Sequence, residues 1–334
     1  MLRPKHHQKP SLPNEIAEKK ASPLRPCPMC GHDGSEDWLK APDRFHQRSQ
    51  LYQLLRCPSC SLVWLDNAPP PEEMDYHYGP HCDRLIAAAG ETSPERWRKR
   101  RETLALHKSG GTLLDLGCSS GSFLATLKEE PWSLYGIEVS PECARKAQIN
   151  SGAKVFTGDI LAAPFPPDSF DVVTCFDVLE HVHHPRRVLE KVWEWLKPGG
   201  IFYTLVPNID SAGARIFRSY WYALELPRHL YHFSPTSLRH LARSAGFQEV
   251  SLNTHRELFI EYSTRYICDE ILWRLGLPWA PLAVAKAPSI PWRVVRKMLR
   301  LTILPLLSQL AFVAGDGESI YAIFRKEAPR PESA

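Results

Sequence analysis

The sequence predicts an α/β protein: a Rossmann-like, seven-stranded, doubly wound sheet with helices on both faces, preceded by a small four-cysteine module and carrying a helical insertion before its last strand. Three observations predict this. Between Leu113 and Pro207 short apolar runs alternate with helical segments, and repeated β-α units make a parallel sheet covered on both faces. Ahead of that stretch four cysteines form two C-x-x-C pairs. Behind it, a segment rich in Trp, Leu and Arg separates the last two strand-like runs, QEVSLNTH and SIYAIFRK.

Composition supports one main core. The chain has 334 residues, 43% hydrophobic and 23% charged, which is globular and long enough for one large domain with appendages. The net charge of +4 is spread over 41 bases and 37 acids, so charge alone announces no nucleic-acid partner. Residues 1–22 are basic but lack the apolar run of a signal peptide and read as a disordered cytosolic arm; residues 328–334 read as a disordered tail. The most apolar stretch, Leu301 to Gly315, contains Pro305 and falls short of the roughly 20 residues that cross a bilayer.

The nine cysteines are not spaced like a disulfide framework. Cys27, Cys30, Cys57 and Cys60 form two knuckles in CPMCG and CPSCS. A two-residue gap lets both thiolates of one turn reach the same ion, and two knuckles complete a closed tetrahedral zinc site of structural type. The predicted zinc ribbon occupies residues 23–67, with DRFHQRSQLYQLLRC as a β-hairpin between the knuckles. Cys82, Cys118, Cys143, Cys175 and Cys268 read as ordinary buried small residues. Residues 68–107 form a proline-stiffened linker, DNAPPPEEMDYHYG, and a helical lead-in, SPERWRKRRETLALHK, capped at Ser93.

The main domain covers 108–256 and 316–327. Its strands read LLDLG, LYGIEV, KVFTGD, DVVTCF and IFYTLVP, with one intervening helix starting at Ser140-Pro141. In PRRVLEKVWEWLKPGG, Val188, Leu189, Val192, Trp195 and Leu196 recur at helical spacing, and Lys197 to Gly200 stop the helix. Ligands of such sheets bind at the carboxyl ends of the strands. LLDLGCSSGSF lies at the first such end, where glycine lets a ligand approach the main chain. Ser119 and Ser122 depart from the GxGxxG pattern of nicotinamide sites. Each later strand also ends in an acid: Glu138, Asp159 and Asp177.

Taken in order, DLGCSSGSF, IEVS, GDI, FDVVTCFDVLEHV and LKPGGIFYTLVPN resemble the class I S-adenosylmethionine-dependent methyltransferases from about Lys108 to Lys326. The resemblance implies that Asp115, Gly117, Cys118, Ser119 and Gly121 meet the methionine end of S-adenosyl-L-methionine. It implies that Glu138, with Val139 beside it, holds the ribose diol, a pair of donors that suits one carboxylate. Asp159 and Ile160 would read the adenine, and Phe176 would lie near the cofactor. FDVLEHV with HLYHFSPTSLRHLARSAGF is similar to the ubiquinone-biosynthesis O-methyltransferases, some of which hold a divalent metal; the implied ligands are Asp177, Glu180 and His181. The four-cysteine module looks like that of bacterial sugar C-methyltransferases, in which it helps cover the substrate.

A sulfonium is already an activated methyl donor, so the site must align a nucleophile and exclude water. A hydroxyl or carbon acid also needs a base, for which His181, His229 and His232 are the candidates. The expected activity is therefore methyl transfer to oxygen or carbon of a small or lipid-linked metabolite: a glycan, sugar or quinone-like compound. Two alternatives stay open: a ribosomal or transfer RNA methyltransferase using the ribbon to bind RNA, and a cofactor-binding scaffold that recruits a protein. The chain has CFDVLE where enzymes methylating base amines carry an Asn/Asp-Pro-Pro-aromatic box, which weighs against RNA. In the insertion, residues 257–315, Trp292, Arg293, Arg296, Lys297 and Arg300 mix with Val294, Val295, Leu299 and Ile303. That pattern suggests a basic amphipathic helix, and 278–314 is the expected peripheral contact of a cytoplasmic protein with the inner membrane face. A cover over the substrate or a dimer contact fits the same residues.

Overall fold

The computed structural model describes residues 25–46, 48–78, 94–257, 259–274 and 317–327. The expectations for the two termini, Ser93, Cys82 and the amphipathic segment 278–314 lie outside the described residues.

The ribbon comes first. Strand β1 (Glu36–Asp43) and strand β2 (Arg48–Arg56) make the hairpin expected between the knuckles, and β2 pairs with β3 (Val63–Leu65), all antiparallel. The linker is more ordered than its prolines suggest. Pro71–Glu73 form a 3-10 turn running into helix α1 (Met74–Tyr78), which anchors itself by burying Met74 and His77. Helix α2 (Pro94–Ala105) is the lead-in.

The main domain follows the predicted alternation: β4 (Gly111–Leu116), α3 (Ser122–Ala125), β5 (Trp132–Glu138), α4 (Pro141–Ser151), β6 (Lys154–Thr157), β7 (Phe170–Phe176), α5 (Pro185–Trp195) and β8 (Leu196–Pro207). Ser140 caps α4, accepting from the Cys143 amide, with Pro141 in the first turn where no amide is needed. Helix α5 buries Val188, Leu189, Val192 and Trp195. The helix stops before Lys197–Gly200 as expected, and the same segment opens β8: Leu196 leaves helical geometry with ψ 137° and pairs with Phe170 of β7. Beyond β8 come α6 (Ala212–Phe217), β9 (Tyr231–His232), α7 (Pro235–Ser244), β10 (Phe247–His255), α8 (Phe259–Arg274) and β11 (Ser319–Lys326). Helix α8 is the described part of the insertion.

The large sheet runs β10-β11-β8-β7-β4-β5-β6. Strands β6, β5, β4, β7 and β8 are parallel, and β11 is antiparallel to both β8 and β10. All five parallel strands therefore present their carboxyl ends along one edge. The order reverses at β4, whose neighbours are β5 on one side and β7 on the other, and there the crevice opens.

The ribbon is built into this domain. Strand β9 leaves the main domain to pair with β3, Val63 opposite His232 and Trp64 opposite Tyr231, giving a second sheet β1-β2-β3-β9. Cys27, Met29, Leu55, Leu62 and Trp64 belong to the same buried cluster as Leu114, Cys175, Val206 and Phe233. One continuous core thus serves both parts. Of the cysteines outside the knuckles, Cys118, Cys143 and Cys175 are buried as expected, whereas Cys268 on α8 is only partly buried.

Candidate functional site

The two knuckles repeat one backbone design. The Gly31 amide donates to the Cys27 carbonyl and the Ser61 amide to the Cys57 carbonyl, each at 3.0 Å, and Gly31 and Ser61 both have positive φ. The turns bring Cys27 Sγ within 3.6 Å of Cys60 Sγ, and Cys30 Sγ within 3.6 Å of Cys57 Sγ. All four sulfurs lie within 4.8 Å of one another. Zinc–sulfur bonds of ~2.3 Å in a tetrahedron separate the sulfurs by about 3.8 Å, whereas a disulfide needs ~2.05 Å. The cage fits zinc. A hydrogen bond with Cys60 holds the Cys27 thiol down at about 5, while the Cys60 thiol is pushed up: a shared-proton arrangement of the kind a metal displaces on binding.

The second group lies at the end of β4. Gly117, Ser119 and Gly121 all have positive φ, so the chain folds back on itself before α3. Side chains are excluded by contact as well as by angle: a Cβ on Gly117 would lie 2.5 Å from Val178, and one on Gly121 2.8 Å from the Ala147 backbone. Ser119 takes the left-handed conformation without being glycine, and its hydroxyl is buried with no partner among the described residues. Asp115, 4% exposed, accepts a 2.6 Å hydrogen bond from Thr174 on β7, and burial raises its carboxyl to about 7 despite that bond.

Glu138, at the end of β5, accepts from the Ser119 amide at 2.8 Å through one oxygen and from the Ser140 amide at 2.9 Å through the other. It ties the first loop to the start of α4. A carboxylate is an acceptor-only group with about four lone-pair sites, a chemistry that suits a diol as well as backbone amides. Beside it Val139 is 74% exposed, a large apolar residue left open at a strand end. Asp159, beyond β6, accepts from the Leu161 amide at 2.7 Å and so fixes the turn that buries Ile160. Cys118 is buried against the same loop, and Phe176, at the end of β7, packs edge-on against Phe123 and Tyr203. The sequence-predicted residues thus gather at the carboxyl ends of β4, β5, β6 and β7, with acids at successive strand ends.

A third group faces this crevice from the loops after β7 and β8. Asp177 has φ 58° and sends its carboxylate to Arg96 at 2.9 Å and Arg100 at 3.3 Å, both on α2. The Arg100 guanidinium, on a residue 1% exposed, lies 4.3 Å from the Phe176 ring centre and 4.6 Å from that of Trp97, and its Nε and Nη1 have no partner among the described residues. Glu180, His181 and His229 come together, one ligand atom of each within 4.8 Å of the others. Of the trio implied by the resemblance, the structure brings Glu180 and His181 together with His229, while Asp177 bonds the two arginines.

Each imidazole in the group has a defined tautomer, because a carbonyl can only accept. His181 Nδ1 donates to the Arg228 carbonyl at 3.1 Å, with the Tyr78 hydroxyl also 3.1 Å away. His229 Nδ1 donates to the Ala223 carbonyl at 2.9 Å, and His232 Nε2 to the Leu224 carbonyl at 3.1 Å. The opposite nitrogen of each ring therefore carries a lone pair. Burial lowers all three: His181 below its usual value, His232 to about 4, and His229 well down with its two histidine neighbours adding to the effect. Burial raises the Glu180 carboxyl strongly, and the Asp177 charge adds to it.

Arg96, Arg100 and Tyr78 were missed from sequence. A signal existed for the arginines: in SPERWRKRRETL they stand four apart beside Trp97, on one face of a helix, whereas Arg98, Glu95 and Glu102 pair with each other in solvent. Nothing in the sequence flagged Tyr78.

A sequence model of the family described as "Methyltransferase domain" matches residues 89–252. The ubiquinone biosynthesis O-methyltransferase of Paraburkholderia phymatum is 33% identical over 152 residues, 42% of this chain and 66% of that protein. Its counterpart from Pseudomonas putida is 31% identical over 173 residues, 47% of this chain and 72% of that one. The chain spans about two thirds of the length of these relatives. Among solved structures, a methyltransferase in complex with the Haloferax volcanii Trm112 methyltransferase activator matches with a TM-score of 0.50 at 21% identity, covering 75% of this chain and 97% of that one; the likeness is one of fold. No helix among the described residues is long and apolar enough to cross a membrane.

Proposed function

Because the chain belongs to the class I S-adenosylmethionine-dependent methyltransferases, we propose that it methylates an oxygen or carbon of a small hydroxylated metabolite, a sugar, glycan or quinone-like compound, at the pocket formed by Glu180, His181 and His229. The cofactor supplies the chemistry of an activated methyl on sulfur. In this reading Asp115 and the 117–121 loop receive the methionine end, Glu138 the ribose, and Val139, Asp159 and Ile160 the adenine. Arg100, with two unpartnered nitrogens beside Phe176, is suited to the methionine carboxylate.

The observation that carries the acceptor half is that His181 and His229 each donate Nδ1–H to a backbone carbonyl, which leaves the ring lone pair on Nε2. A hydroxyl entering there meets acceptors within a pocket lined by the core, where a neutral imidazole can withdraw its proton as the methyl arrives. The 30% identity range of the ubiquinone-type relatives supports O-methylation of a small molecule as the reaction class.

The test is transfer of labelled methyl from S-adenosylmethionine to a panel of sugars, nucleotide sugars and catechol-type quinone precursors. Transfer to at least one class, lost by about 10²–10⁴-fold in His229→Ala with unchanged affinity for S-adenosylhomocysteine, supports the reading. Methylation of RNA and of none of these small molecules overturns it. For the membrane contact proposed at 278–314, co-flotation with anionic vesicles that deletion of this segment abolishes is the expected result; equal flotation of both proteins removes it.

A further inference from the structure

We propose that the tip of the ribbon hairpin positions the acceptor pocket: Asp43, Phe45 and His46 seat the Arg228 side chain, and Arg228 in turn sets the rings of His181 and His229. The inference rests on the reading of that pocket given above and assigns the ribbon a part in it.

Both imidazoles depend on one short turn. The Arg228 and His229 amides donate to the Glu225 carbonyl at 2.8 and 3.1 Å, and Glu225 itself has φ 37°. The Arg228 carbonyl is the acceptor that orients His181, and His229 is the next residue along the chain. Any shift of this turn therefore moves the two rings together. Displacing a reacting group by 1 Å can lower a rate by about 10²-fold, so what fixes the turn matters to the chemistry.

The Arg228 side chain fixes it, on a residue 2% exposed. Its guanidinium donates to Glu225 at 3.1 Å, lies 4.2 Å from the Phe45 ring centre and brings Nη1 within 3.2 Å of His46 Nδ1. The same ring nitrogen is 3.0 Å from Asp43 Oδ2. It can donate to Asp43 or accept from Arg228, and in either tautomer it stands between two opposite charges. Asp43 is fully buried and also accepts from the His46 amide at 3.0 Å. Burial works against its charge, but the His46 hydrogen bonds and the Arg228 charge outweigh burial and hold the carboxyl below its usual value. A buried guanidinium that loses a partner is strongly destabilised, so the turn follows the tip.

A second path leaves the same tip and also ends at His181. Arg48 lies 3.9 Å from the Asp43 carboxylate, donates to the Tyr76 carbonyl at 3.0 Å and comes within 3.1 Å of His77 Nδ1. The hydroxyl of Tyr78, at the end of that helix, is 3.1 Å from His181 Nδ1. Arg44 secures the tip from outside: it donates to the Ser219 carbonyl at 2.8 Å, lies over Tyr220 at 3.6 Å from the ring centre and pairs with Glu270 of α8 at 2.8 Å. Arg56 offers the contrast. It bonds Asp210 at 3.0 Å and so joins the ribbon to the start of α6, away from the turn.

The experiment uses the full-length protein with its ribbon zinc in place and isotope-labelled histidine nitrogens, whose ring signals in nuclear magnetic resonance are assigned by single replacements. In the parent, His181 and His229 should each show one tautomer, protonated at Nδ1. Asp43→Asn and Arg228→Met should move the ring signals of both and leave His232, held by the Leu224 carbonyl, as in the parent. Arg228→Lys keeps the charge and should return part of the way, and Arg56→Ala should match the parent. With labelled methyl and a panel compound that the parent accepts, kcat should fall at least tenfold in Asp43→Asn and Arg228→Met, while affinity for S-adenosylhomocysteine stays within threefold. Zinc content checks folding, and if Arg228→Met loses its zinc, Asp43→Asn and Arg228→Lys decide. Parent-like rings in Asp43→Asn, or an equal disturbance by Arg56→Ala, overturns the proposal. Ring signals that move as stated, without transfer to any panel compound, keep the positioning role and remove the proposed function; transfer with indifferent rings does the reverse.

Discussion

Asp115, Glu138 and Asp159 approach the proposed cofactor crevice from the ends of three neighbouring parallel strands, whereas Glu180, His181 and His229 meet only because two loops and a borrowed strand bring them together. The first set is local. Asp115 and Glu138 lie in the last residues of their own strands and Asp159 just beyond its own, and their partners, Thr174, the Ser119 and Ser140 amides and the Leu161 amide, sit on the same or adjacent units. The second set depends on the ribbon. His232 lies on β9, opposite Val63 of β3, and the Leu65 amide donates to the Leu230 carbonyl at 2.9 Å, just beyond His229. Loss of the ribbon should therefore strike the acceptor half directly, and the cofactor half only through the core that Leu62 and Trp64 share with Leu114 and Cys175.

Stripping the ribbon metal gives the largest expected effect. Structural zinc in small modules supplies roughly 10–16 kcal/mol of folding free energy, so Cys57→Ser or a strong chelator should unfold β1–β3 and abolish methyl transfer. Affinity for S-adenosylhomocysteine should fall less than methyl transfer does. Hydrogen exchange read alongside calorimetry checks this, and equal loss of both functions would erase the distinction between the halves.

Next in size is Glu138→Ala. Two charge-assisted bonds of about 1.5–3 kcal/mol each hold the first loop, so S-adenosylhomocysteine binding should weaken by one to three orders of magnitude while the zinc content stays constant. Thr174→Val, which removes the side-chain hydrogen bond from Thr174 to Asp115, should cost about 1–2 kcal/mol of stability in denaturant unfolding.

The smallest effect is a pH dependence. Burial raises Asp115 from 3.8 to about 7, so its carboxylate forms above pH 7 and is protonated below. The carboxylate form attracts the cofactor's ammonium, and affinity should fall as pH drops from 8 to 6, approaching tenfold per unit below 7. Asp115→Asn should flatten that slope, as calorimetry at three pH values would reveal.

The same contrast explains what the sequence disclosed. Strand-end acids and glycines are legible because a β-α unit fixes their place within a few residues, and Ser140-Pro141 marks its helix start by capping chemistry alone. The knuckles are legible because the metal needs both cysteines in one turn. The acceptor pocket is a tertiary product. Asp177, Glu180 and His181 look like a set because they are close in sequence, yet Asp177 bonds Arg96 and Arg100, and the side chain that joins Glu180 and His181 is His229, far along the chain. Tyr78 reaches the site from a proline-rich linker that carries no signal, and Arg100 from a helix marked only by two arginines four apart beside Trp97. The strand pairing of β3 with β9 depends on a two-residue strand, too short to leave a periodic pattern.

The central claim is that the crevice at the end of β4 binds an S-adenosyl compound through carboxylates at successive strand ends. Calorimetric titration of the full-length protein with S-adenosylhomocysteine tests it most directly, with a nicotinamide dinucleotide as the comparison. One site per chain for the adenosyl thioether, lost in Glu138→Ala, and no heat from the dinucleotide is the predicted result. Binding of the dinucleotide with none of S-adenosylhomocysteine would contradict it.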